Sequence, residues 1–132
     1  MVGSGYWSPQ QAQVQPYSIF ERKNAVAVAV TVLLARLTTC PFVVKSGGHA
    51  CFANASNIEG GVTINLAKLD ETGLSHDKNT TRIGPGNTWH DVYSTREADK
   101  VTVIGGRVAT IGVGGLTLGD KLCQIGSLTF LS

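Results

Sequence analysis

The chain has 132 residues, and its 11 lysines and arginines against 9 aspartates and glutamates give a formal net charge of +2. Apolar residues make up 42% and charged residues 15%, which excludes an intrinsically disordered chain and fits one modest domain. So small a charge gives no electrostatic reason to bind nucleic acid or an anionic membrane, and the longest apolar run, residues 25–37, is too short to span a bilayer. We therefore predict neither nucleic acid nor a membrane as a partner.

The first half of the chain begins with a polar, glutamine-rich stretch, residues 1–16, which indicates an arm or a short first helix. The stretch YSIF, residues 17–20, predicts a short strand. In the run AVAVAVTVLLARL, residues 25–37, the valines alternate as in a strand, but the length, the alanines, the leucines and Asn24 as an N-cap favour a helix. The apolar stretch CPFVVKS, residues 40–46, predicts a buried strand that ends at glycines.

The second half continues with the stretch GGVTINL, residues 60–66, which predicts a strand, and with HDKNT, residues 76–80, which has turn chemistry. A further strand is predicted to end at Gly84, a helix follows over residues 87–98 with Asn87 or Thr88 as its cap, and KVTVIGGR, residues 100–107, predicts a last strand. This order predicts an α+β fold, a small mixed sheet with covering helices.

Three glycine-rich stretches each follow a predicted strand: SGGHA at residues 46–50, GPGNTW at 84–89 and GGRVATIGVGGLTLG at 105–119. Loops at strand ends gather over one edge of a sheet, where ligands bind, and their backbone N–H groups form concave sites for anions. Three such loops predict an extended ligand that carries phosphate.

The common nucleotide and metal motifs do not match. Thr117 replaces the third glycine of a dinucleotide fingerprint, and Asp120 stands where a P-loop needs lysine. His49, Cys40 and Cys51 lack the paired spacing of zinc ligands, so no metal site is predicted. We predict that Cys40 and Cys51 are free thiols, and a disulfide between them stays open as the alternative.

Four stretches, residues 6–16, 40–70, 82–93 and 103–119, resemble in order and spacing the flavoprotein family of vanillyl-alcohol oxidase and para-cresol methylhydroxylase (PCMH). The most similar branch is that of the berberine-bridge-enzyme-like FAD-linked oxidoreductases. The resemblance implies part of a PCMH-type FAD-binding domain over residues 1–119, while residues 120–132 do not resemble the family.

The resemblance also implies FAD as the cofactor, bonded covalently through His49 to the flavin's 8α-methyl carbon. Gly47 and Gly48 would admit the diphosphate to the backbone, and Lys45 stands where the family usually has arginine. Some relatives carry a second covalent link from a cysteine, but Val108 stands at that position here, so a double tether is not expected. The full set of cofactor-binding residues that the resemblance implies is Lys45, Ser46, Gly47, Gly48, His49, Ala50, Gly84, Gly86, Thr110, Gly112, Gly114 and Gly115.

The activity that the resemblance implies is hydride transfer from a small-molecule substrate to the flavin, followed by reoxidation by oxygen. The family's substrate domain would lie beyond residue 119, so we expect a truncated fragment with compromised catalysis and name no catalytic residue and no oligomeric state. Two alternatives stay open: an inactive truncated gene product, and a secreted, glycosylated binding module without cofactor. The second draws on the sequons at Asn54 and Asn79, although residues 1–11 do not resemble a signal peptide.

Overall fold

The computed structural model describes residues 5–119; the predicted tail, residues 120–132, lies outside the described residues. Over residues 5–119 no helix combines the length and the apolar character needed to cross a bilayer. The elements are α1 (Pro9–Ala12), β1 (Ser18–Glu21), α2 (Ala25–Leu37), β2 (Phe42–Lys45), β3 (Val62–Asn65), β4 (Thr72–Leu74), β5 (Thr81–Ile83), α3 (Trp89–Ala98) and α4 (Val113–Leu118).

The predicted α+β class is confirmed, and the parallel and antiparallel strands that it requires form two small sheets rather than one. β1, β3 and β2 lie side by side in that order, all parallel, and β4 pairs with β5 as an antiparallel hairpin. Thr63 and Ile64 of β3 are fully buried, because a central parallel strand is covered on both faces. Since the three strands run in the same direction, β2 delivers the loop at residues 46–50 to the edge where β1 and β3 also end.

The two longer helices begin where the sequence predicts, because each start carries a local capping signal. The Asn24 side chain accepts a hydrogen bond from the Val26 N–H at 2.7 Å and so caps α2. Thr88 begins α3 with a capping box, in which its side chain and that of Asp91 each accept from the other residue's backbone N–H. The prediction of helix rather than strand over residues 25–37 is confirmed.

The strand predicted over residues 100–107 is wrong, since residues 101–106 are irregular in the structure. The segment is held by side-chain packing instead of a strand partner. Val103 packs against a core cluster that includes Trp89, and Gly105 and Gly106 lie against the Trp89 indole. Apolar alternation predicts an extended backbone here, but it does not say whether a neighbouring strand is present to pair with it.

The main apolar cluster joins the glycine-rich third stretch to α3. Trp89, Val92 and Val113 are its buried members, and Ile111 is among the partly buried side chains that pack against them. Backbone hydrogen bonds reinforce the contact, because the Trp89 N–H donates to the Ile111 carbonyl at 3.0 Å. The third stretch is therefore fixed in place at the edge where the β2 loop emerges.

Candidate functional site

The three predicted glycine-rich loops meet in the structure. Gly47 of the first loop lies backbone to backbone against Gly112 of the third. The Ser46 hydroxyl donates to the Pro85 carbonyl of the second loop at 2.5 Å, and an added Cβ at Gly114 would come within 3.1 Å of Pro85 Cβ. We call residues 46–50, 84–86 and 110–115 together the glycine loop cluster.

Close packing between backbones explains most of these glycines. A Cβ on Gly47 would overlap the Gly112 backbone, and a Cβ on Gly112 would overlap the Gly47 backbone. Gly84 and Gly86 press in the same way against the carbonyls of the turn at residues 66–69. Gly48 adds a conformational reason, because its φ of +67° is one that other residues rarely adopt. The glycines thus let the loops approach one another. The expectation that Gly47 and Gly48 also admit a diphosphate to the backbone stays a prediction.

A cavity of about 530 Å³ opens beside the cluster, a volume within the usual range for small-molecule sites. Gly115 faces open space there, since a Cβ added to it would meet no atom within 4 Å. No charged side chain is found among the described residues that line this cavity. Its lining consists of Val44, Ser46, Gly47, Gly48, His49, Ala50, Cys51, Phe52, Ala55, Ser56, Ile111, Gly112, Gly115, Leu116 and Gly119.

Another hollow of similar size, about 560 Å³, lies between the start of α2 and the second loop and touches the cluster at Gly84 and Pro85. Its lining contains no histidine, whereas the 530 Å³ cavity joins the first and third glycine loops and contains His49. We therefore take it as the candidate site.

His49 lines this cavity and is held from two sides. Its Nε2 lies 3.2 Å from the Thr110 Oγ1, which joins the first loop to the third. Its ring stacks on that of Trp7, with centroids 5.2 Å apart and planes 19° apart. The ring therefore has a defined position before any ligand is considered.

The backbone of the first loop offers several free donors. Within the described part of the chain, the N–H groups of Gly47, Gly48, His49 and Ala50 donate no hydrogen bond to a protein group. Consecutive unpaired N–H groups at a loop of this kind bind anions such as phosphate. Because no charged side chain lines the cavity, backbone dipoles would be the main means of holding a diphosphate here.

Lys45 lies on the other side of the first loop. Its side chain is buried, runs beneath Gly48, and places its Nζ 5.0 Å from the centre of the Tyr6 ring. Burial lowers the pKa of its ammonium group, while the nearby negative charge of Glu21 raises it. Lys45 therefore supports the loop from below and is not part of the cavity lining.

The structure thus divides the predicted site residues into four groups. Seven line the cavity, and Thr110 contacts the cavity histidine. Gly84, Gly86 and Gly114 lie in the cluster but not in the cavity lining, and Lys45 lies beneath the loop. The seven lining residues are Ser46, Gly47, Gly48, His49, Ala50, Gly112 and Gly115.

The residues that brace the first loop were not predicted as site residues. The Trp7 N–H donates to the Gly48 carbonyl at 3.1 Å, and the Ser8 hydroxyl donates to the Cys51 carbonyl at 3.1 Å. The buried Gln11 side-chain amide donates to the Phe52 carbonyl at 2.6 Å. These bonds link positions about 40 residues apart, so no local sequence pattern could identify them. The signal available was the stretch at residues 6–16 in the family resemblance.

The two cysteines in the described residues, Cys40 and Cys51, are free thiols. This agrees with the preferred sequence interpretation and not with the disulfide alternative. Cys51 is exposed and lines the cavity two positions after His49.

Comparison with known proteins gives the family. A family model described as an FAD binding domain matches residues 16–126, which is more than half of the chain. The chain belongs to this FAD-binding domain family. The match runs past Gly119, so the domain boundary that the sequence predicts at that residue stays a prediction.

Individual relatives agree with this assignment. An FAD-dependent monooxygenase of Cochliobolus heterostrophus is 40% identical over 96% of this chain and 24% of its own length. Another FAD-dependent monooxygenase, from Fusarium proliferatum, is 39% identical over 96% of this chain and 25% of its own length. The chain therefore spans about a quarter of the length of the curated relatives that it matches.

Solved structures give the same fold. A BBE-like protein from Arabidopsis thaliana superposes with a TM-score of 0.75 at 22% identity, over 86% of this chain and 24% of its own. The predicted membership of an FAD-binding flavoprotein family is confirmed, and with it FAD as the family's cofactor. The likeness to berberine-bridge-enzyme-like structures shows a shared fold. The covalent bond through His49 stays a prediction.

Proposed function

We propose that this chain forms the cofactor-binding part of an FAD-linked oxidoreductase and that FAD lies in the 530 Å³ cavity beside the glycine loop cluster. One observation carries the proposal: the first and third loops, which the sequence predicts separately, line the same cavity. The cavity is open at Gly115, which has no side chain to fill it. FAD, when bound, takes hydride from a small-molecule substrate and passes the electrons to dioxygen. The chain's own residues bind and orient it.

The residues present fit such a ligand in three respects. Free N–H groups at residues 47–50 suit a diphosphate, and the apolar side chains of Val44, Ile111 and Leu116 suit a flat aromatic ring system. The His49 imidazole lies in the same cavity, where a covalent bond to the flavin would need it. A histidine substituent withdraws electron density from the flavin and so favours hydride uptake.

The described residues do not supply the substrate side of the reaction. His49 and Cys51 are the titratable side chains among the described lining residues, and the proposal assigns His49 to the cofactor. We therefore assign neither the activity of a whole enzyme nor the choice of substrate to residues 5–119. What the chain is proposed to do is to bind FAD, to hold its diphosphate on backbone donors and to bring its ring to His49.

The proposal can be tested by filling the cavity without disturbing the fold. In Gly115→Leu the new side chain extends into the open space at the cavity, so we expect FAD affinity, measured by quenching of flavin fluorescence, to fall at least about tenfold. The control is Gly73→Leu on β4, where a Cβ also meets no atom within 4 Å but the cavity is distant. Both variants should keep a cooperative thermal transition.

Three results decide the proposal. Loss of FAD binding in Gly115→Leu with retention in Gly73→Leu supports the cavity as the binding site. Equal binding by both variants would place FAD elsewhere. A wild-type chain that unfolds cooperatively but binds no FAD would overturn the proposal and favour the alternative of a binding module without cofactor.

A further inference from the structure

Thr110 has a contact that the family resemblance does not explain. Its Oγ1 lies 3.2 Å from His49 Nε2, which joins residues 61 positions apart, and the hydroxyl makes no other hydrogen bond within residues 5–119. The other ring nitrogen, His49 Nδ1, has no hydrogen-bond partner in the same part of the chain. The two nitrogens of the cavity histidine therefore have different environments.

A neutral imidazole carries its proton on one nitrogen and a lone pair on the other, and the hydrogen bond made by one nitrogen decides the role of the other. A threonine hydroxyl can accept a hydrogen bond from Nε2–H. Nδ1 then keeps its lone pair and is the nitrogen able to form a new bond. The reverse arrangement, in which the hydroxyl donates to Nε2, would put the proton on Nδ1 and remove that ability.

We propose that Thr110 is a positioning residue that accepts a hydrogen bond from His49 Nε2–H and so presents Nδ1 as the atom that bonds to the flavin's 8α-methyl carbon. This inference rests on the proposed function. Trp7 completes the arrangement, because its ring stacks on the imidazole and its backbone N–H donates a hydrogen bond to the Gly48 carbonyl. The imidazole is thus fixed both in plane, by Thr110, and in tilt, by Trp7.

The bond-forming step balances with dioxygen as the oxidant. A bond forms between His49 Nδ1 and the 8α carbon, and one C–H bond of that methyl group breaks. The two electrons released pass through the ring system to dioxygen. Hydrogen peroxide leaves with one proton from the methyl group and one from Nε2, for which the Thr110 hydroxyl is the adjacent acceptor.

The first test needs no cofactor. Nitrogen-15 NMR of the imidazole in the 132-residue chain, at a pH where His49 is neutral, distinguishes a protonated ring nitrogen from one with a lone pair. We expect Nε2 to be protonated and Nδ1 to carry the lone pair in the wild type and in Thr110→Ser. In Thr110→Val the Nε2 resonance should move toward that of a solvent-exposed imidazole. A wild-type spectrum with the proton on Nδ1 would overturn the inference.

The second test separates tethering from binding. After incubation with FAD in air, the chain is denatured with acid and the flavin that stays with the protein is measured over time. With FAD at a saturating concentration for each variant, we expect Thr110→Val to slow covalent attachment about tenfold, because the attacking nitrogen is less well placed. Thr110→Ser should restore the wild-type rate. Thr117→Val, the same change on α4 at a side chain that bonds its own helix, is the control.

The outcomes distinguish this inference from the proposed function. If FAD binds and Thr110→Val attaches it at the wild-type rate, the role of Thr110 is wrong and the proposed function stands. If FAD binds but His49→Ala still retains it after acid, the tether is not at this histidine and the inference also fails. If the wild-type chain binds no FAD, both the proposed function and the tethering role of Thr110 are wrong.

Discussion

Glycine-rich loops are usually expected to be loosely packed and apolar helices to be buried, but the glycine loop cluster and helix α2 show the opposite. The loops contain few large side chains, yet Gly47 and Gly112 pack so closely that neither position has room for a Cβ. Helix α2 is the most apolar segment of the chain, yet of its 13 residues Ala35 is the one that is buried. Close contact between backbones therefore holds the glycine loop cluster together. The apolar side chains of α2 are not enough to bury that helix.

The outer face of α2 consists of exposed side chains at helical spacing: Val26, Val30, Leu33, Leu34 and Leu37, which are 48–81% exposed. A helix that is apolar all round is normally buried within a larger protein, and contiguous apolar patches usually mark a contact surface. The cluster, by contrast, is already packed on the protein side and open on the side of the cavity. The candidate site is therefore largely pre-formed within residues 5–119, whereas these residues leave the outer face of α2 exposed.

The largest effect is expected from Gly112→Ala. The new methyl group would overlap the Gly47 backbone, which has no flexible end that could move aside, so we expect a loss of about 2–3 kcal/mol in the free energy of unfolding. Gly115→Ala is the control, because its Cβ meets no atom and α4 gains helix propensity; it should be neutral or stabilising by up to about 1 kcal/mol. Urea unfolding measures both. Equal stability of the two variants would mean that the loops are not packed as described.

A smaller loss is expected from Thr88→Ala, which removes the N-cap of α3 directly beside the cluster. Thr88 also forms an isolated β-bridge with Gly112, so the cap and the third loop share one anchor. We expect a cost of about 1 kcal/mol in thermal or urea unfolding. Thr95→Ala, the same change further along α3, should stay within about 0.5 kcal/mol of the wild type. A Thr95→Ala cost as large as that of Thr88→Ala would argue against a special role for the cap.

The same cap predicts a modest dependence on acid. Hydrogen bonds from the Thr88 hydroxyl and backbone N–H lower the pKa of the Asp91 carboxyl below its usual 3.8. A carboxyl whose pKa is lower in the folded state adds stability above its unfolded pKa, and loses it as the pH falls through the folded value. The wild type should therefore melt at a higher temperature than Asp91→Asn at neutral pH, and the gap should close in acid below 3.8. A gap that is constant with pH would contradict this assignment.

The smallest change in stability is expected on the outer face of α2. Leu33 and Leu34 are each 56% exposed, so replacing both with glutamine should alter the free energy of unfolding by no more than about 0.5 kcal/mol. The same double variant should bind less of an apolar fluorescent dye, since part of the patch is gone. Ala35→Gln, on the buried face of the same helix, is the contrasting variant and should destabilise the chain by about 1–3 kcal/mol. A destabilised double variant would show that this face is packed after all.

Much of the fold was predictable because its signals are local. Asn24 and Thr88 each mark a helix start, and apolar runs that end or begin at a pair of glycines mark β2 and β3. The strand expected over residues 100–107 failed because strand pairing depends on a neighbour that the segment's own sequence does not specify. The short helix α4 was missed because its glycines lower helix propensity, while its packing against α3 through Val113 is a tertiary effect.

The loops that form the candidate site could be predicted from the sequence, but most contacts between their residues could not. The three glycine-rich loops were expected to converge because each follows a strand of one sheet. They do converge, but only the first follows a strand of the parallel sheet, whereas the second follows β5 of the hairpin and the third follows an irregular segment. The direction of the Lys45 side chain and the pairing of His49 with Thr110 depend on the side-chain alternation of β2 and on a contact across 61 residues, which no sequence pattern encodes. The cluster glycines also have a packing role that the sequence did not predict, because neighbouring backbone occupies the place that a Cβ would take at Gly47 and Gly112.

The most direct measurement is an amide NMR titration of the chain with FAD, carried out on His49→Ala so that binding stays reversible. We expect little change at Leu33 and Leu34 on α2. The largest shifts should fall on the backbone amides of Gly47, Gly48, Ala50 and Gly115. Shifts centred on α2 or on the β4–β5 hairpin, or no shifts at all in a folded chain, would contradict the claim that the glycine loop cluster is the FAD site.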